Sequence, residues 1–329
     1  METDVTNESI PIVFSCGNYY ARFAAVAIES IAFHASLSRH YDIVVLHTDI
    51  STQTQEMMRE TVTGKPNVTL RFMDLSGEIP EVSEPAHIHA SVETYNRLCA
   101  HKFFARYNKI VYLDSDIVVC RDISGLMDAP LGNCLLGAVR DVDHAGLYRG
   151  NVGGVGRYTD RVLQLSDPYA YFQAGVLLMN IGPLQAAFGE DGLIKKAGKS
   201  YMFVDQDILN MACQGNIKHL DMRWNVLVGS HRRKRIAPLA PSPIFQDYER
   251  SYLDPWIVHY AGAKKPWRFP EDDFSDIYRE HASRTPFYGL ICEEYARSQE
   301  AYKKKRVFYA AKTLASTVKY GIIRMKTRK

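Results

Sequence analysis

Four features are absent from the sequence or scarce in it, and each excludes a class of protein. Glycine and proline, 21 and 14 of the 329 residues, are too few for a collagen-like or low-complexity chain. The six cysteines form no C-x-x-C pair and lie mostly in apolar runs, so we expect reduced core thiols rather than a disulfide framework. No uninterrupted apolar run approaches about 18 residues, and the polar opening METDVTNESI is unlike a signal peptide. We therefore predict a cytoplasmic chain that is neither exported nor membrane-spanning.

Basic residues are concentrated at the end of the chain. Residues 303–329 contain ten lysines or arginines and no acidic residue, whereas residues 1–302 contain 30 basic against 37 acidic residues. Within the basic segment, apolar residues recur at intervals of three and four, at Val307, Ala311, Leu314, Val318, Ile322 and Met325. This pattern predicts an amphipathic helix that binds an anionic membrane surface. The alternative is a terminal helix that docks on the body and leaves its basic face in solvent.

This tail predicts a peripheral association with the inner face of the cell membrane. The body, at a formal charge of −7, would repel polyanions and has no RNA-stacking motif, so no nucleic-acid partner is expected.

Short apolar runs alternate with helical patterns through the first half of the chain. Strands are predicted at residues 10–16, 41–47, 67–73 and 109–116, and helices at 20–33, 52–62 and 91–107. Further strands are predicted at 174–180 and 256–260, and a further helix from residue 205. Repeated strand–helix units predict an α/β fold with a mostly parallel sheet, whose ligands bind at the carboxyl ends of the strands. Residues 143–160, rich in glycine and turn formers, are interpreted as a mobile loop.

Two carboxylates follow the apolar run Ile110–Leu113. Asp114 and Asp116 are separated only by Ser115, and residues i and i+2 of an extended chain point the same way. The two side chains therefore converge at the carboxyl end of a strand, where hard oxygen ligands suit Mg²⁺ or Mn²⁺ and a phosphate-bearing substrate. The alternative is an ordinary Asp-Ser-Asp turn that caps the next element.

His259 ends a second apolar run, WIVHY, and is followed by a turn that contains Lys264 and Lys265. An imidazole beside two carboxylates favours Mn²⁺ over Mg²⁺. Alternatively, His259 is a satisfied core residue and the lysines are solvated loop charges. Only the combination with the aspartate pair supports a metal site.

Three other polar groups stand at the ends of predicted elements. Asp205-Gln206-Asp207 precedes an apolar helical run, where an aspartate caps free N–H groups. Gln173-Ala174-Gly175 precedes a strand and offers an amide and a close backbone approach. Arg97 lies within an otherwise apolar helix, either at the surface or as a clamp for anions.

Five motifs occur in the order typical of a known family. They are TYNRL (94–98), VYLDSD (111–116), FQAGVLLMN (172–180), DQDILN (205–210) and HYAGAKKPW (259–267). This set resembles glycosyltransferase family 8, the retaining sugar transferases typified by bacterial lipooligosaccharide galactosyltransferases. The resemblance runs from Ile12 to Phe269, and five ordered motifs are far more specific than a lone D-x-D.

The resemblance implies a fold, a cofactor and a set of residue roles. The fold is the GT-A nucleotide-diphosphosugar transferase type, a single Rossmann-like mixed-sheet domain, which we assign to residues 1–270. The residues beyond the resemblance, 271–329, are predicted from their own pattern to be a C-terminal helical region that ends in the basic membrane-associating tail. Asp114, Asp116 and His259 would bind Mn²⁺, with Mg²⁺ as the alternative. Asp205 and Gln206 would be catalytic, and His89 would face the acceptor. The implied donor-binding residues are Asn18, Tyr19, Tyr20, Arg97, Ser115, Gln173, Ala174, Gly175 and, at the diphosphate, Gly262 and Lys265.

The sequence departs from the family pattern at two places. Gln173 stands where the family has asparagine, which lengthens the amide by one methylene and changes the sugar pocket. At the end of the first strand, Gly17-Asn18-Tyr19-Tyr20 replaces the family's Asp-Asp-Asn-Tyr pattern that binds uracil. The uracil-binding carboxylate is therefore missing, and we expect Asn18, Tyr19 or the backbone to contact the base, or a lower donor affinity.

These observations predict a metal-dependent retaining glycosyltransferase that moves galactose or glucose from a UDP-sugar to a glycan or glycolipid at the cytoplasmic membrane face. An amide is a poor nucleophile, so we favour same-face attack by the acceptor, with Gln206 stabilising the oxocarbenium-like centre. One alternative is a haloacid-dehalogenase-like phosphatase with Asp114 as nucleophile, although three strand–helix units precede that residue. The other is a non-enzymatic membrane adaptor built on the basic tail.

Overall fold

The computed structural model describes residues 9–78, 92–198 and 201–302. Its strands are β1 Ser9–Ser15, β2 His40–His47, β3 Val68–Asp74, β4 Lys109–Leu113, β5 Ile117–Val119, β6 Leu136–Arg140, β7 Phe172–Asn180, β8 Ile217–His219, β9 Val226–Leu227 and β10 Ile257–His259. Seven of them form one sheet in the order β3-β2-β1-β4-β7-β6-β8, and β5-β10-β9 form a smaller sheet. The basic tail, residues 303–329, lies outside the described residues.

The large sheet is mixed but mostly parallel, as predicted. Strands β1, β2, β3 and β4 pair in parallel, and β6 pairs in parallel with β8. Strand β7 is antiparallel to both of its neighbours, β4 and β6, so it alone runs against the others in this sheet. The amino end of β7 therefore meets the carboxyl ends of β1 and β4 at one edge of the sheet.

Helices cover both faces of the sheet. They are α1 Ala21–His34, α2 Thr52–Glu60, α3 Asn96–Phe103, α4 Ser124–Met127, α5 Val142–Arg149, α6 Val155–Tyr158, α7 Ile181–Phe188, α8 Val204–Cys213, α9 Ser242–Leu253 and α10 Ser275–Ala282, and residues 288–302 are also helical. In the described part of the chain, none of these helices is long and apolar enough to cross a membrane.

Strand β1 explains why the apolar runs are continuous rather than alternating. Its residues Ile12 and Phe14 pack in one core with helix α1, whereas Val13 packs in a second core with helix α3. A central strand that is buried on both faces needs apolar residues at every position. Tyr278 of α10 and Phe287 pack in the first of these cores, so the described part of 271–329 shares a core with the residues before it.

The prediction of a mobile loop at residues 143–160 is wrong. The segment forms α5, a 3₁₀ turn at Val152–Gly154, α6 and a π-helical turn at Thr159–Leu163. Asp141 caps α5 by accepting a hydrogen bond from the His144 backbone N–H at 2.9 Å. A Cβ atom on Gly146 would lie 2.3 Å from the Ile236 carbonyl oxygen, so this glycine permits close backbone packing rather than flexibility.

The cysteines form no disulfide, as predicted, and all six thiols are free. Cys16, Cys99 and Cys213 are buried, and burial raises the pKa of each of these thiols to about 12. Cys292 is exposed, so the expectation of a core position is wrong for that residue.

Candidate active site

The strand topology gathers the predicted site residues at one edge of the sheet. The Asp114 backbone N–H donates to the Gly175 carbonyl at 2.8 Å, which joins the end of β4 to the start of β7. The Tyr260 N–H donates to the Asp116 carbonyl at 2.9 Å, which brings the end of β10 beside the aspartate pair. A cavity of about 660 Å³ opens there. Its lining includes Asn18, Tyr19, Tyr20, Arg97, Asp114, Ser115, Asp116, Gln173, Ala174, Asp205, Gln206, His259, Gly262 and Lys265.

One predicted site residue in the described part of the chain does not line this cavity. Gly175 lies just behind it, where a Cβ atom would come within 2.3 Å of His259 Cε1 and 2.6 Å of Asp114 Oδ2. Only glycine at this position leaves room for the side chains on either side of it. His89 lies outside the described residues, so its place relative to the cavity stays a prediction.

Asp114, Asp116 and His259 form a group of side chains with the geometry to hold a metal ion. Their ligand atoms all lie within 4.8 Å of one another. His259 Nε2 is 3.6 Å from Asp114 Oδ2 and 3.3 Å from Asp116 Oδ1. Two carboxylates and an imidazole match the ligand preferences of Mn²⁺ and Mg²⁺, so the donor set fits a divalent cation.

The His259 ring is oriented by an amide that sequence analysis missed. Asn225 Oδ1 lies 2.9 Å from His259 Nδ1, and an amide oxygen can only accept, so Nδ1 carries the proton. The Nε2 lone pair is thereby left facing the two aspartates, the arrangement usual for a metal-binding histidine. Asn225 Nδ2 in turn donates to Gln173 Oε1 at 2.6 Å. Asn225 ends a 3₁₀ turn, Met222–Asn225, and no motif marks it in the sequence.

Lys265 neutralises Asp116. Its ammonium group donates to Asp116 Oδ2 and, at 3.0 Å, to the Tyr260 carbonyl. Burial alone would raise the pKa of Asp116, but Lys265 and His259 outweigh that effect and hold it well below its usual range. The side chains of Lys265 and Asp116 are only 14% and 13% exposed, so Lys265 is not a solvated loop charge.

Arg97 is buried at the centre of the site. Its Nη2 lies 2.6 Å from Asp114 Oδ1 and its Nε lies 2.6 Å from Asp205 Oδ2. Burial opposes the charge on Arg97, but Asp114 and Asp205 outweigh it and raise the pKa of the guanidinium. Burial also raises the pKa of Asp205, to about 6, against the opposing effect of Arg97. Of the two alternatives for Arg97, the surface position is excluded.

Gln206 is fixed at both ends of its amide. Its Oε1 accepts from the Ala174 N–H at 2.9 Å, and its Nε2 donates to Asp141 Oδ2 at 2.9 Å. The neighbouring Asp207 has a structural role, since it accepts hydrogen bonds from the hydroxyls of Tyr158 and Tyr171 at 2.7 Å each. Helix α8 begins at Val204, close to the predicted start.

Two carboxylates that the sequence analysis missed lie beside Gly17. Asp49 Oδ1 accepts from the Asn18 N–H at 2.8 Å, and a Cβ atom on Gly17 would be 3.2 Å from both Asp49 Oδ1 and Glu93 Oε1. Both residues line the cavity. This end of the cavity therefore has carboxylates, although they come from the segments after β2 and before α3 instead of from the end of β1.

Comparison with known proteins identifies the family to which the chain belongs. The family model for glycosyl transferase family 8 matches residues 11–270. The chain belongs to glycosyltransferase family 8. This assignment does not favour the alternatives of a phosphatase or a non-enzymatic adaptor.

Individual relatives of this family 8 chain support the same fold. The glycosyltransferase GlyF of Streptococcus pneumoniae serotype 4 is 27% identical over 262 residues, which cover 78% of the chain and 56% of GlyF. The bifunctional glycosyltransferase WbbM superimposes with a TM-score of 0.80 at 32% identity, covering 89% of the chain and 52% of WbbM. The galactosyltransferase LgtC, solved with donor and acceptor sugar analogues, has a TM-score of 0.65 at 25% identity. The superposition covers 84% of the chain and 96% of LgtC. The fold is GT-A, and the chain spans little more than half of GlyF and of WbbM.

The first prediction concerns the metal-binding group. We expect Asp116→Asn to weaken Mn²⁺ binding by at least about tenfold, since losing even an outer-shell partner of a metal ligand has that effect. The variant should also lower the Tm of the metal-free protein, because Lys265 loses its buried carboxylate partner. Titration followed by the electron paramagnetic resonance of free Mn²⁺, and thermal unfolding, measure the two effects. The exposed Asp128→Asn is the control, and wild-type Mn²⁺ affinity in folded Asp116→Asn would contradict the assignment.

The second prediction concerns the carboxylates beside Gly17. Gly17→Asp and Gly17→Asn add the same Cβ atom, but only the aspartate adds a charge next to Asp49 and Glu93. The added carboxylate repels its two neighbours only while the groups are ionised, so the stability difference between the two variants should be largest at neutral pH and should shrink as the pH falls. Thermal unfolding of both variants from pH 7 to pH 4 measures it. Equal Tm values at pH 7 would mean that the three side chains do not face one another.

Proposed function

We propose that this chain is a metal-dependent retaining glycosyltransferase that transfers galactose or glucose from a UDP-sugar to a glycan or glycolipid. One observation carries the proposal: a single cavity has the Asp114, Asp116 and His259 group on its wall, Lys265 beside it, and a cradle of aromatic and polar groups at Gly17–Tyr20. A nucleoside diphosphate has matching parts, since its phosphates require cations and its base requires stacking and hydrogen bonds. The name of LgtC, a galactosyltransferase, supports a hexose donor.

The diphosphate is the leaving group, and its developing charge is the main barrier that the site addresses. A divalent cation, when held by Asp114, Asp116 and His259, would supply positive charge next to the diphosphate oxygen that leaves the sugar. Lys265 contributes a second positive charge through its ammonium group. Gly262 has φ +92°, a conformation that favours glycine, and it lets the backbone approach the phosphates closely. The cation and the Lys265 ammonium group act where negative charge appears in the transition state. They therefore increase kcat rather than affinity alone.

The sugar lies between the diphosphate and helix α8 in this proposal. Asp205 and Arg97 bind its hydroxyls, and the Gln206 amide oxygen stabilises the positive charge that develops at the anomeric carbon. The bond from that carbon to the diphosphate oxygen breaks with its electron pair leaving on oxygen. The acceptor hydroxyl attacks the same face, and its proton passes to the departing diphosphate. Retention follows without a covalent adduct, for which an amide is a poor nucleophile.

The third prediction tests the donor. Incubation with UDP-galactose and with UDP-glucose should release UDP in a Mn²⁺-dependent manner, and EDTA should abolish the release because the carboxylates then bind no cation. GDP-mannose serves as a control for the base and sugar. A coupled assay measures the nucleotide product. Release of inorganic phosphate instead of UDP, or no turnover of any nucleotide sugar, would overturn the proposed function.

The basic tail carries the proposed membrane association. Residues 288–302 form a helix that leads directly to it, and Tyr288, Tyr295 and Tyr302 are exposed at intervals of seven, on one side of that helix. Tyrosine has a polar tip on an apolar ring and suits a membrane interface. We propose that this side and the bases of 303–329 bind an anionic bilayer at the cytoplasmic face, close to a glycolipid acceptor.

The fourth prediction tests this association. Removal of residues 303–329 should abolish co-sedimentation with anionic vesicles and leave UDP release unchanged, because the described residues that line the cavity all lie before residue 266. Replacing the four bases at 303–306 by glutamine keeps the length and should weaken binding in part. Binding by the intact chain should fall as salt rises and the Debye length shortens. Vesicle binding by the truncated chain would contradict a membrane role for the tail.

A further inference from the structure

The Gln206 amide has a defined orientation in the site. The Ala174 backbone N–H can only donate, so the atom 2.9 Å from it must be the amide oxygen. The amide nitrogen therefore faces Asp141, whose Oδ2 accepts its N–H at 2.9 Å. A flipped amide would place N–H against N–H and oxygen against carboxylate. The partners on the two sides thus determine which end of Gln206 faces which neighbour.

Asp141 is buried behind Gln206 and does not itself line the cavity. It follows β6, and each of its carboxylate oxygens accepts one N–H group: Oδ1 that of His144, Oδ2 that of Gln206. Two N–H donors, one on each oxygen, are the partners expected of an ionised carboxylate. Burial raises the pKa of Asp141, and the donors from His144 and Gln206, with the charge of Arg232, oppose this rise.

Arg232 lies near Asp141, although it contacts Asp143 and the turn after β10 rather than Asp141 itself. Its Nε lies 2.6 Å from Asp143 Oδ2, and its Nη2 donates to the Ala261 carbonyl at 3.0 Å, next to Gly262. The guanidinium is therefore held between helix α5, which Asp141 caps, and the turn after β10. Its positive charge favours the ionised form of both aspartates in an otherwise desolvated region.

We propose that Asp141 is a positioning residue that acts on the reaction through Gln206. Its carboxylate holds the amide in one orientation and, because hydrogen bonds in a chain polarise one another, increases the negative charge on the amide oxygen. That oxygen is the group placed beside the anomeric carbon by the proposed function, on which this inference rests. Loss of the carboxylate should therefore lower kcat and leave the KM for the donor almost unchanged, since Asp141 does not line the cavity.

Two substitutions at residue 141 separate this role from helix capping. Asparagine and serine both cap helices well, so Asp141→Asn and Asp141→Ser both retain an acceptor for the His144 N–H. Asparagine then presents its NH₂ group to Gln206. In the present orientation of the Gln206 amide, this NH₂ group faces the Gln206 NH₂ group; if the amide turns over, the Gln206 NH₂ group faces the Ala174 N–H instead. Two donors therefore meet in either orientation. Serine is too short to bridge to Gln206. We expect both variants to lower kcat by about tenfold, a loss no larger than that of removing the Gln206 side chain itself.

A double-mutant cycle tests whether Asp141 acts through Gln206. Gln206→Ala should itself reduce kcat by roughly ten to a hundredfold, and Asp141→Asn should have no further effect in that background. Asp167→Asn is the matched control, since Asp167 caps the turn at Pro168–Ala170 and does not line the cavity, and its kcat should equal that of the wild type. Unchanged kcat in Asp141→Asn and Asp141→Ser, or an equal loss with and without Gln206, would overturn the inference.

An exchange of charge tests the contact without any measurement of activity. Gln206→Glu places two carboxylates against each other and should lower the Tm at pH 7. In Asp141→Asn with Gln206→Glu, the new carboxylate accepts from the Ala174 N–H and from the asparagine NH₂, while the asparagine oxygen still caps α5. The double variant should therefore regain most of the lost Tm, and a Tm no higher than that of Gln206→Glu would contradict the contact. Absence of UDP release from the wild-type protein would instead overturn the proposed function and the catalytic part of this inference, while a restored Tm would still support the contact.

Discussion

The charge balance at the edge of the sheet is the constraint on which the site depends. Asp114, Asp116 and Asp205 are three carboxylates, against which Arg97 and Lys265 provide two positive charges. When all of these groups are ionised, one negative charge remains uncompensated in a region with little solvent. The pKa of Asp205, raised to about 6 by burial, reflects that imperfect compensation. A divalent cation at the adjoining carboxylates would reverse the sign of the local charge and make the cavity favourable for a diphosphate.

Backbone topology brings these charges together. Because β7 runs against its neighbours, its first residues meet the last residues of β4, and the Asp114 N–H bonds to Gly175. Strand β10 belongs to the second sheet, but it pairs with β5, which follows the aspartate pair directly. Asp114, Asp116 and His259 thus stand at or beside strand ends that are held by main-chain hydrogen bonds, whereas Arg97 and Asp205 come from helices α3 and α8. A small displacement of any one strand would separate the ligand atoms, so the sheet gives the site its precision.

The sequence predicts the elements and charges that follow strong local patterns, and it misses those that depend on irregular segments. Asp114 and Asp116 follow an apolar run, so their position at the carboxyl end of a strand was predictable from strand periodicity. His259 also ends an apolar run, but it lies beside them because β10 pairs antiparallel with β5 in the second sheet, which strand periodicity does not predict. Asn225 follows no such pattern, because it ends a 3₁₀ turn whose position is determined by tertiary packing. The segment 143–160 was predicted to be a loop because it is rich in glycine, but it is helical. Gly146 is needed there for close packing against the Ile236 backbone, and a sequence alone does not distinguish a glycine required for packing from one in a flexible loop.

The glutamine at position 173 has a physical explanation that composition and motifs do not reveal. Its Oε1 accepts hydrogen bonds from the Gly175 N–H and from Asn225 Nδ2, both at 2.6 Å, and Asn225 in turn orients His259. The additional methylene of glutamine carries the amide oxygen across to Asn225. The oxygen is therefore engaged within the protein, and the amino group of Gln173 is the end that remains for a ligand. The departure from the family pattern at position 173 is in this way connected to the orientation of the His259 imidazole, so a change at residue 173 would also affect that ring.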